Sequence, residues 1–291
     1  MEANMSAGLP APDLLARRRA DIEASLRAIV HVSSFPVPRL RSAMRYAVVS
    51  PGKRIRPLLA VLCAEHLGAE LSAVMSPACA LELVHAASLV LDDLPCMDDA
   101  AERRGQPTVH AAFGEEVAAL TVVALISEAY ALIAKAPGLS DPARCELVRI
   151  LSATIGADGL AGGQEIDLRR GMALSALDID ELHRRKTGSL FVAAVEVAAV
   201  VAEANVEQRA SLRLFAEELG LAFQALDDIA DAQEVAKGAA NVISVIGEQG
   251  ARRRATGRLE SAKAALAHGG PGLAAVGGFV DVLMGQALAA P

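Results

Sequence analysis

Long apolar segments with helical punctuation, and almost no strand signal, restrict this chain to an all-α fold. Alternating runs of β-branched and aromatic residues are missing, and only six Phe and two Tyr occur among the 291 residues. Ala, Leu, Val, Glu and Arg dominate, and these residue types favour helices. Several segments are apolar around most of their circumference, which is typical of helices buried on several sides in a large bundle. We predict one all-α domain over residues 1–291, with about 12 flexible residues at the N-terminus.

Proline, glycine and capping residues predict where the helices begin and end. Pro77 is expected to start a long apolar helix that runs into Asp92 and Asp93 and breaks at Pro95. Residues 140–142, Ser-Asp-Pro, combine a helix cap with a first-turn proline. The predicted helices run from about 12 to 34, 38 to 51, 54 to 67, 77 to 93, 113 to 134, from 141 onwards, and at about 178–186, 189–204, 207–232, 250–267 and 272–288.

Charge and hydropathy exclude two classes of function. The chain has 28 Lys and Arg against 35 Asp and Glu, a formal net charge of −7, whereas a nucleic-acid binder needs a basic face. Mean hydropathy is high at +0.35. The longest stretch without Asp, Glu, Lys or Arg, residues 264–280, nevertheless has only 17 residues, and a spanning helix needs roughly 18 or more. We expect no nucleic-acid partner and no transmembrane segment.

The N-terminal sequence and the cysteines indicate a cytoplasmic protein. The basic residues 17–19 are followed by Asp21 and Glu23 and not by an apolar stretch, so this segment does not have the pattern of a secretory signal. The cysteines lie far apart with no C-x-x-C pair, which indicates neither a disulfide framework nor a zinc site. The four residues expected to be reduced thiols are Cys63, Cys79, Cys96 and Cys145.

Two acidic clusters stand out because they lie in apolar helical segments. Residues 89–99 are LVLDDLPCMDD, and residues 223–231 are FQALDDIAD. Burying an unpaired carboxylate is costly and neighbouring carboxylates repel, so two such clusters predict a bound cation; solvated helix ends are the alternative. Asp227 and Asp231 lie about 40° apart on the helical wheel and share a face, whereas Asp228 lies about 100° round.

The residue types in these clusters favour Mg²⁺ over zinc, because no His or Cys joins the carboxylates. Pro95 interrupts the first helix, so Asp98 must return toward Asp92 through a local bend. Arginine and lysine are suited to binding a diphosphate beside the metal, although each basic patch taken alone is also consistent with solvated surface charge. The basic residues concerned are Lys53, Arg54, Arg56, Arg103, Arg104 and Lys186.

These motifs resemble those of the trans-polyprenyl diphosphate synthases, and in particular the geranylgeranyl diphosphate synthases of carotenoid pathways. LVHAASLVLDDLPCMDDAAERRGQPTVHAAFG at 83–114 is similar to the family's first aspartate-rich motif, and GLAFQALDDIAD at 220–231 to the second. PGKRIRP at 51–57, GLAGGQEIDL at 159–168 and HRRKTGSLF at 183–191 are similar to further motifs, in the family's order. The resemblance implies an isoprenoid-synthase-type helical bundle around a deep central cavity, usually a homodimer.

The resemblance also implies an activity and a role for each matching residue. The protein would condense isopentenyl diphosphate with an allylic diphosphate, farnesyl diphosphate being the expected primer, with up to three Mg²⁺ bound between the aspartate motifs. The implied metal ligands are Asp92, Asp93, Asp98, Asp227, Asp228 and Asp231. The residues implied to hold isopentenyl diphosphate are Lys53, Arg56, His85 and Arg104. Those implied to contact the allylic substrate are Arg103, Lys186, Thr187 and Gln224. The implied catalytic residues are Asp92, Asp98, Lys186 and Asp227.

Helical spacing and residue size add two expectations. His85 lies seven residues before Asp92, about 20° from it on the helical wheel, so both side chains should face one cavity. In the family that this chain resembles, bulky aromatics four or five residues before the first aspartate stop chain growth. Ser88 and Ala87 occupy these positions here and are small, so we expect elongation to geranylgeranyl diphosphate.

Three alternatives stay open. A farnesyl diphosphate synthase would share the motifs and stop at a shorter product. A non-catalytic partner subunit would normally have lost aspartates or basic residues. Both survive here, but the loop after Asp231 is about a dozen residues shorter than is usual in the family, with Lys237 as its one candidate lysine. A terpene cyclase would carry an Asn/Asp–Ser/Thr–Glu motif in place of the second aspartate cluster, and residues 241–248 match that motif in type but not in spacing.

Overall fold

Helices dominate the computed structural model, which describes residues 11–31, 37–168, 176–230 and 242–289. The first seven are α1 (Ala11–His31), α2 (Pro38–Val49), α3 (Ile55–His66), α4 (Leu71–Asp92), α5 (Val109–Phe113), α6 (Glu115–Ala134) and α7 (Asp141–Ile155). The others are α8 (Leu160–Asp167), α9 (Ala176–His183), α10 (Ser189–Val201), α11 (Val206–Ala230), α12 (Val242–His268) and α13 (Pro271–Ala289). Between α9 and α10 lies a π-helical turn, Arg184–Gly188. The all-α prediction is confirmed.

The described residues include one small sheet, which the sequence did not predict. β1 (Glu102–Arg103) and β2 (Gln106–Pro107) pair antiparallel between α4 and α5. The turn that joins them places Arg104 and Gly105 at positive φ, 53° and 73°. This hairpin directly follows the aspartates of the first motif, so it sets the positions of the two arginines of that motif, Arg103 and Arg104.

The predicted start of α4 at Pro77 is wrong, because this helix begins at Leu71 and carries Pro77 inside it. A proline within a helix removes one backbone hydrogen bond and strains the preceding turn. Here Pro77 is buried with its neighbours Ala78 and Cys79 in the core, and this packing outweighs the lost bond. The predicted N-terminal flexible segment falls almost wholly on residues 1–10, which lie outside the described residues.

α10 forms the centre of the bundle. It contacts α3, α4, α7 and α11, and nine of its 13 residues are buried. A helix packed on several sides must be apolar around its circumference, as the sequence of residues 189–201 is. Burial of a side chain such as Phe191, which is fully buried, stabilises the fold by roughly 1.5–3 kcal/mol.

Two helices, α4 and α6, are long and apolar enough to cross a membrane by length and composition alone. The most apolar part of α4 is 67% buried inside the bundle, which accounts for its composition, whereas that of α6 is 39% buried. Leu120 and Val123 of α6 are 55% and 66% exposed. The bundle therefore covers the apolar surface of α4 and leaves one apolar face of α6 uncovered.

Candidate active site

A cavity of about 580 Å³ lies between the start of α3, the second half of α4, the π-helical turn and the end of α11. Four of the five sequence motifs contribute to its wall, although they are distant along the chain. The predicted site residues that line it are Lys53, Arg56, His85, Ser88, Asp92, Arg103, Arg104, Lys186, Thr187 and Asp227. His85 and Asp92 share the cavity, as their spacing on α4 predicts.

One part of the cavity is strongly basic. Arg56 Nη1 lies 3.2 Å from His85 Nε2, and its guanidinium carbon lies 5.1 Å from the centre of the Phe191 ring. Burial lowers the pKa of His85 well below its usual value, and the charges of Arg56 and Arg104 lower this pKa further. Burial also lowers the pKa of Arg56. A neutral imidazole among arginines marks a region of positive potential that suits a multiply charged anion.

The opposite part of the cavity is acidic and contains Asp92. Burial raises the pKa of Asp92 to about 6; Lys186 opposes this shift and Asp98 adds to it. The side chain of Lys186 lies 3.8 Å from Asp92 Oδ2 and 2.5 Å from Asp167 Oδ2. Burial acts to lower the pKa of Lys186, but Asp92 and Asp167 outweigh burial and raise it. A charged lysine therefore lies between two carboxylates at this end.

Asp98 lies beside Asp92 through the bend that the sequence predicts, and its charge acts on Asp92, although Asp98 does not itself line the cavity. Its backbone N–H donates to the carbonyl oxygen of Asp92 at 2.9 Å, and the N–H of Met97 donates to Leu94 at 2.8 Å. Asp99 completes the bend with φ at 51°. The chain thus turns back after Pro95, and the two aspartates lie next to each other in space.

Asp93 is held by Arg103 behind the cavity wall. Arg103 Nε donates to the two carboxylate oxygens at 2.9 and 3.0 Å, and its Nη2 donates to Oδ1 at 2.7 Å. Asp93 is 3% exposed and does not line the cavity, whereas Arg103 does. In this structure the carboxylate anchors the arginine, and a metal-binding role for Asp93 stays a prediction.

Gln224 and Asp228 form a hydrogen-bonded row behind the second aspartate motif. Thr187 Oγ1 donates to Gln224 Oε1 at 2.8 Å, and Gln224 Nε2 donates to Asp228 Oδ1 at 3.0 Å. Asp228 is 5% exposed, and its Oδ2 lies 4.0 Å from His183 Nε2. The row joins the π-helical turn to α11, while Asp227 lines the cavity itself. Asp231 and Lys237 lie outside the described residues.

α8 supplies two further residues to the site, Asp167 and Gln164, for which the sequence motif at 159–168 predicts no specific role. Asp167 pairs with Lys186, and Gln164 is buried with its Oε1 lacking a hydrogen-bond partner. A Cβ on Gly163 would lie 2.5 Å from the backbone nitrogen of Lys186, so only glycine permits this approach of α8 to the π-helical turn. The signal in the sequence was the glycine pair directly before these polar residues.

A second cavity of about 90 Å³ extends from the acidic end into the apolar interior. Ser88, Asp92 and Lys186 line both cavities. Ala87 lies in its wall, and no aromatic residue of the described chain lines it. The apolar side chains that close it include Val84, Val122, Ile126 and Ile155. The two positions expected to control chain length are therefore in the wall of an apolar channel that starts at Asp92.

The donor set at the acidic end suits Mg²⁺. Among the described residues, no three carboxylate, imidazole or thiol side chains are close enough to hold a metal by themselves. Mg²⁺ is commonly bound through one or two carboxylates, with phosphate oxygens and water completing the shell. Asp92 and Asp98, which interact electrostatically, provide such a partial set, as does Asp227 across the cavity. All of these ligands are hard oxygens, which Mg²⁺ prefers to the softer donors of zinc sites.

A helical bundle whose cavity of about 580 Å³ has a basic part and an acidic part is suited to binding diphosphate groups, and comparison with known proteins narrows the class of protein. A family model described as polyprenyl synthetase matches residues 37–241. The geranylgeranyl diphosphate synthase of Pantoea ananas is 49% identical over 193 residues, 65% of this chain and 64% of its own length. That of Pseudescherichia vulneris is 39% identical over 257 residues, 85% of this chain and 84% of its own length.

Solved structures agree with this relationship. An FPP/GFPP synthase from Zymomonas mobilis is 34% identical with a TM-score of 0.84, over 95% of this chain and 97% of its own. A geranyltransferase from Legionella pneumophila is 28% identical with a TM-score of 0.87, over 95% and 97%. The chain belongs to the polyprenyl synthetase family, and its fold is the isoprenoid-synthase helical bundle that the sequence predicts.

Proposed function

We propose that the protein is a prenyltransferase that condenses isopentenyl diphosphate with farnesyl diphosphate to make geranylgeranyl diphosphate. The observation that carries this proposal is the joining of three environments at Asp92: a basic region, an acidic region and an apolar channel lined by Ala87 and Ser88. The first suits one diphosphate without a metal, the second suits a diphosphate bound with a metal, and the third suits a hydrocarbon chain. Geranylgeranyl diphosphate synthases among its relatives support the product assignment.

The basic region would hold isopentenyl diphosphate. Lys53, Arg56 and Arg104 supply the positive charge, and His85, neutral with Nε2 accepting from Arg56, can donate its remaining ring N–H to a phosphate oxygen. Arginine binds diphosphate oxygens in pairs, and lysine adds a point charge. The double bond of this substrate would then lie toward Ser88 and Asp92, where the two cavities meet.

The acidic region would hold the allylic diphosphate. Mg²⁺ bound by Asp92, Asp98 and Asp227 would neutralise the charge that develops on the departing diphosphate. Lys186 is charged and lines both cavities, and Arg103 is fixed in the wall by Asp93. Both therefore offer positive charge to the leaving oxygen without having to move. The role of Asp93, Asp228 and Asp231 in metal binding is part of the same proposal.

The reaction balances without a further co-reactant. The allylic C–O bond breaks, inorganic diphosphate leaves, and the carbocation is attacked by the double bond of isopentenyl diphosphate. The new C–C bond forms, and a proton passes from the isopentenyl unit to an oxygen of the released diphosphate. Apolar side chains such as Val84, Ile126 and Ile155 exclude water from the channel, which protects the cation from hydrolysis.

We further propose that the protein is a homodimer through α6. Leu120 and Val123 are 55% and 66% exposed on this apolar helix, and contiguous exposed apolar surface usually marks an interface. A dimer that dissociates when Leu120 and Val123 are replaced by glutamate, measured by light scattering, would confirm the interface. Retention of the dimer would refute it.

We also propose that the whole chain forms one polyprenyl synthase domain and that the protein is cytoplasmic. The free state of all four cysteines supports the cytoplasmic location.

A farnesyl diphosphate synthase is the second candidate. The protein of that name from Haemophilus influenzae is 41% identical over 197 residues, 66% of this chain and of its own length. The two candidates share the chemistry and differ only in how far the channel admits the growing chain. Product length, and not rate, therefore separates them.

Release of inorganic diphosphate tests the reaction type. We expect release only when isopentenyl diphosphate, an allylic diphosphate and Mg²⁺ are all present, and its loss on adding a chelator. Asp227→Asn should lower the rate by about 100-fold or more. Asp158→Asn, a change at a side chain that is 97% exposed, is the matched control and should leave the rate unchanged. Release from the allylic substrate alone would indicate a cyclase, and no release with any primer would indicate a non-catalytic subunit.

A further inference from the structure

Arg54 lies between Lys53 and Arg56, two residues proposed to bind isopentenyl diphosphate, and it lines the same cavity, yet its guanidinium group is buried and bonded to other protein groups. It is 5% exposed, and its φ of 51° is one that L-residues other than glycine rarely adopt. It is also the residue from which α3 starts, because its carbonyl oxygen accepts the N–H of Leu58 at 3.1 Å. An unusual backbone conformation at a buried arginine requires a specific set of partners.

Those partners belong to three different helices. Arg54 Nε donates to Glu23 of α1 at 2.7 Å, and Nη1 donates to Glu82 of α4 at 2.7 Å. Nη2 donates to the carbonyl oxygens of Val48 and Ser50, at the end of α2, at 2.9 and 2.8 Å. The side chain of Glu82 is 5% exposed. One guanidinium group thus ties the segment 50–54 to α1, α2 and α4.

The same segment is held from its other side by Arg104. Arg104 Nη1 donates to the carbonyl oxygen of Pro51 at 2.6 Å. A Cβ on Gly52 would lie 3.0 Å from Arg104 Nη1 and 3.3 Å from Arg54 Nη1. The two guanidinium groups therefore approach the backbone at Gly52 as closely as a glycine permits, and the short segment has little freedom to shift.

Charge distinguishes Arg54 from its neighbours. Its positive charge is matched by two carboxylates, Glu23 and Glu82, at hydrogen-bonding distance. Arg56, by contrast, contacts neutral His85, and the carboxylates of Glu82 and Asp227 act on its charge without a hydrogen bond to it. A diphosphate in the cavity would gain from Arg56 and Lys53, whereas the charge of Arg54 is already compensated inside the protein.

We propose that Arg54 is a positioning residue for the isopentenyl diphosphate site, and that it acts by fixing the segment 50–54. Its bonds to Glu23 and Glu82 set where Lys53 and Arg56 lie relative to His85 and Arg104. The inference rests on the proposed function, because it concerns the substrate assigned to the basic region. It predicts that loss of these bonds weakens binding of isopentenyl diphosphate and leaves the allylic site intact.

The test compares Arg54→Lys with Arg18→Lys in the full-length protein. Arg18 is 8% exposed and bound to Glu65 through two hydrogen bonds of 2.6 and 2.8 Å, and it does not line the cavity. Arg18 and Glu65 thus form a buried ion pair that is comparable with those of Arg54 but lies away from the proposed substrate site. We expect Arg54→Lys to raise the KM for isopentenyl diphosphate by about tenfold, with the KM for farnesyl diphosphate unchanged. Arg18→Lys should change neither KM, even if both variants lose thermal stability.

A second variant keeps the test decisive if Arg54→Lys fails to fold. Glu23→Gln removes the charge of the α1 carboxylate that Arg54 Nε contacts at 2.7 Å, and Glu23 does not line the cavity, so this variant too should raise the KM for isopentenyl diphosphate alone. Equal increases for both substrates, or an effect of Arg18→Lys equal to that of Arg54→Lys, would overturn the proposal. Direct titration of the protein with isopentenyl diphosphate, without metal, distinguishes a failure of the Arg54 proposal from a failure of the proposed function. A wild-type protein that binds it but forms no product refutes the proposed function, while the loss of binding in the variants still tests Arg54.

Discussion

The backbone N–H of Asp98 donates to the carbonyl oxygen of Asp92 at 2.9 Å, although a proline breaks the helix between the two residues. We expect the six-residue spacing to be required, because it brings Asp98 beside Asp92, whose side chain lines the cavity. A glycine inserted between Pro95 and Cys96, which are exposed, should move Asp98 out of place. We expect the rate of product formation to fall by about 100-fold with little change in melting temperature.

The control for this insertion is Cys96→Ser, which changes the same exposed loop without changing its length. It should retain full activity. A protein with the inserted glycine that works at the wild-type rate would show that Asp98 is not needed at that position.

Asp167 pairs with Lys186, and we expect this ion pair to fix the position of the lysine side chain. Their side chains lie 2.5 Å apart, and Asp92 Oδ2 lies 3.8 Å from the same ammonium group. Asp167→Asn removes one of the two carboxylates that hold the lysine, so we expect kcat to fall by about 10–100-fold with a smaller change in KM. Asp141→Asn, at a side chain that is 94% exposed, is the control. An unchanged kcat in steady-state assays of Asp167→Asn would rule out this role.

The size of residue 87 should set the product length. Ala87 lines the apolar channel that begins at Asp92, and larger side chains there would fill a space of about 90 Å³. We expect Ala87→Val to shift part of the product toward farnesyl diphosphate and Ala87→Phe to shift most of it, as measured by mass spectrometry. The graded series is its own control, since both variants keep the charged residues. Unchanged product length in both would place the floor of the channel elsewhere.

His85 should make the folded protein less stable as the pH falls. Burial, aided by Arg56, lowers its pKa in the folded state, whereas in the unfolded chain its pKa is about 6.5. The unfolded state therefore binds the proton first, and stability is lost as pH decreases below about 6.5. Between pH 7 and pH 5, the free energy of unfolding of the wild type should therefore fall more steeply with decreasing pH than that of His85→Gln. Equal pH dependence in urea denaturation would contradict this.

The cysteines should separate into two reactive and two protected thiols. Burial raises the pKa of both Cys63 and Cys79 to about 12, while Cys96 and Cys145 are exposed. Because the thiolate is the reactive form, a thiol reagent at pH 8 should label the exposed pair rapidly and the buried pair only after denaturation. Mass spectrometry of the labelled protein gives the count. Rapid labelling of all four would show that α3 and α4 are not packed as described.

Local sequence rules predict the helices and the residues that share a helix face. His85 and Asp92 follow from the periodicity of α4, and the bend at Pro95 follows from the chemistry of proline. The start of α4 was placed wrongly at Pro77 because tertiary packing, which no local rule contains, holds the proline inside the helix. The π-helical turn at 184–188 leaves no comparable local signal.

The sequence does not predict which side chains contact each other when they lie in motifs that are distant along the chain. The pairing of Asp93 with Arg103 depends on the hairpin that returns the chain to α4, and that of Asp167 with Lys186 depends on the packing of α8 against the π-helical turn. The metal-binding role implied for Asp93 stays a prediction, and its bond to Arg103 has no signal in the sequence. The residue types at the site could thus be predicted, whereas their partners could not.

The mass of the product tests the central claim most directly. Purified protein is incubated with Mg²⁺, isopentenyl diphosphate and farnesyl diphosphate, and the prenyl chain is measured by mass spectrometry with a chelator control. The account predicts geranylgeranyl diphosphate as the main product and none in the presence of the chelator. Failure to extend farnesyl diphosphate, with farnesyl diphosphate accumulating from shorter primers, would contradict the assignment of the apolar channel and of the product.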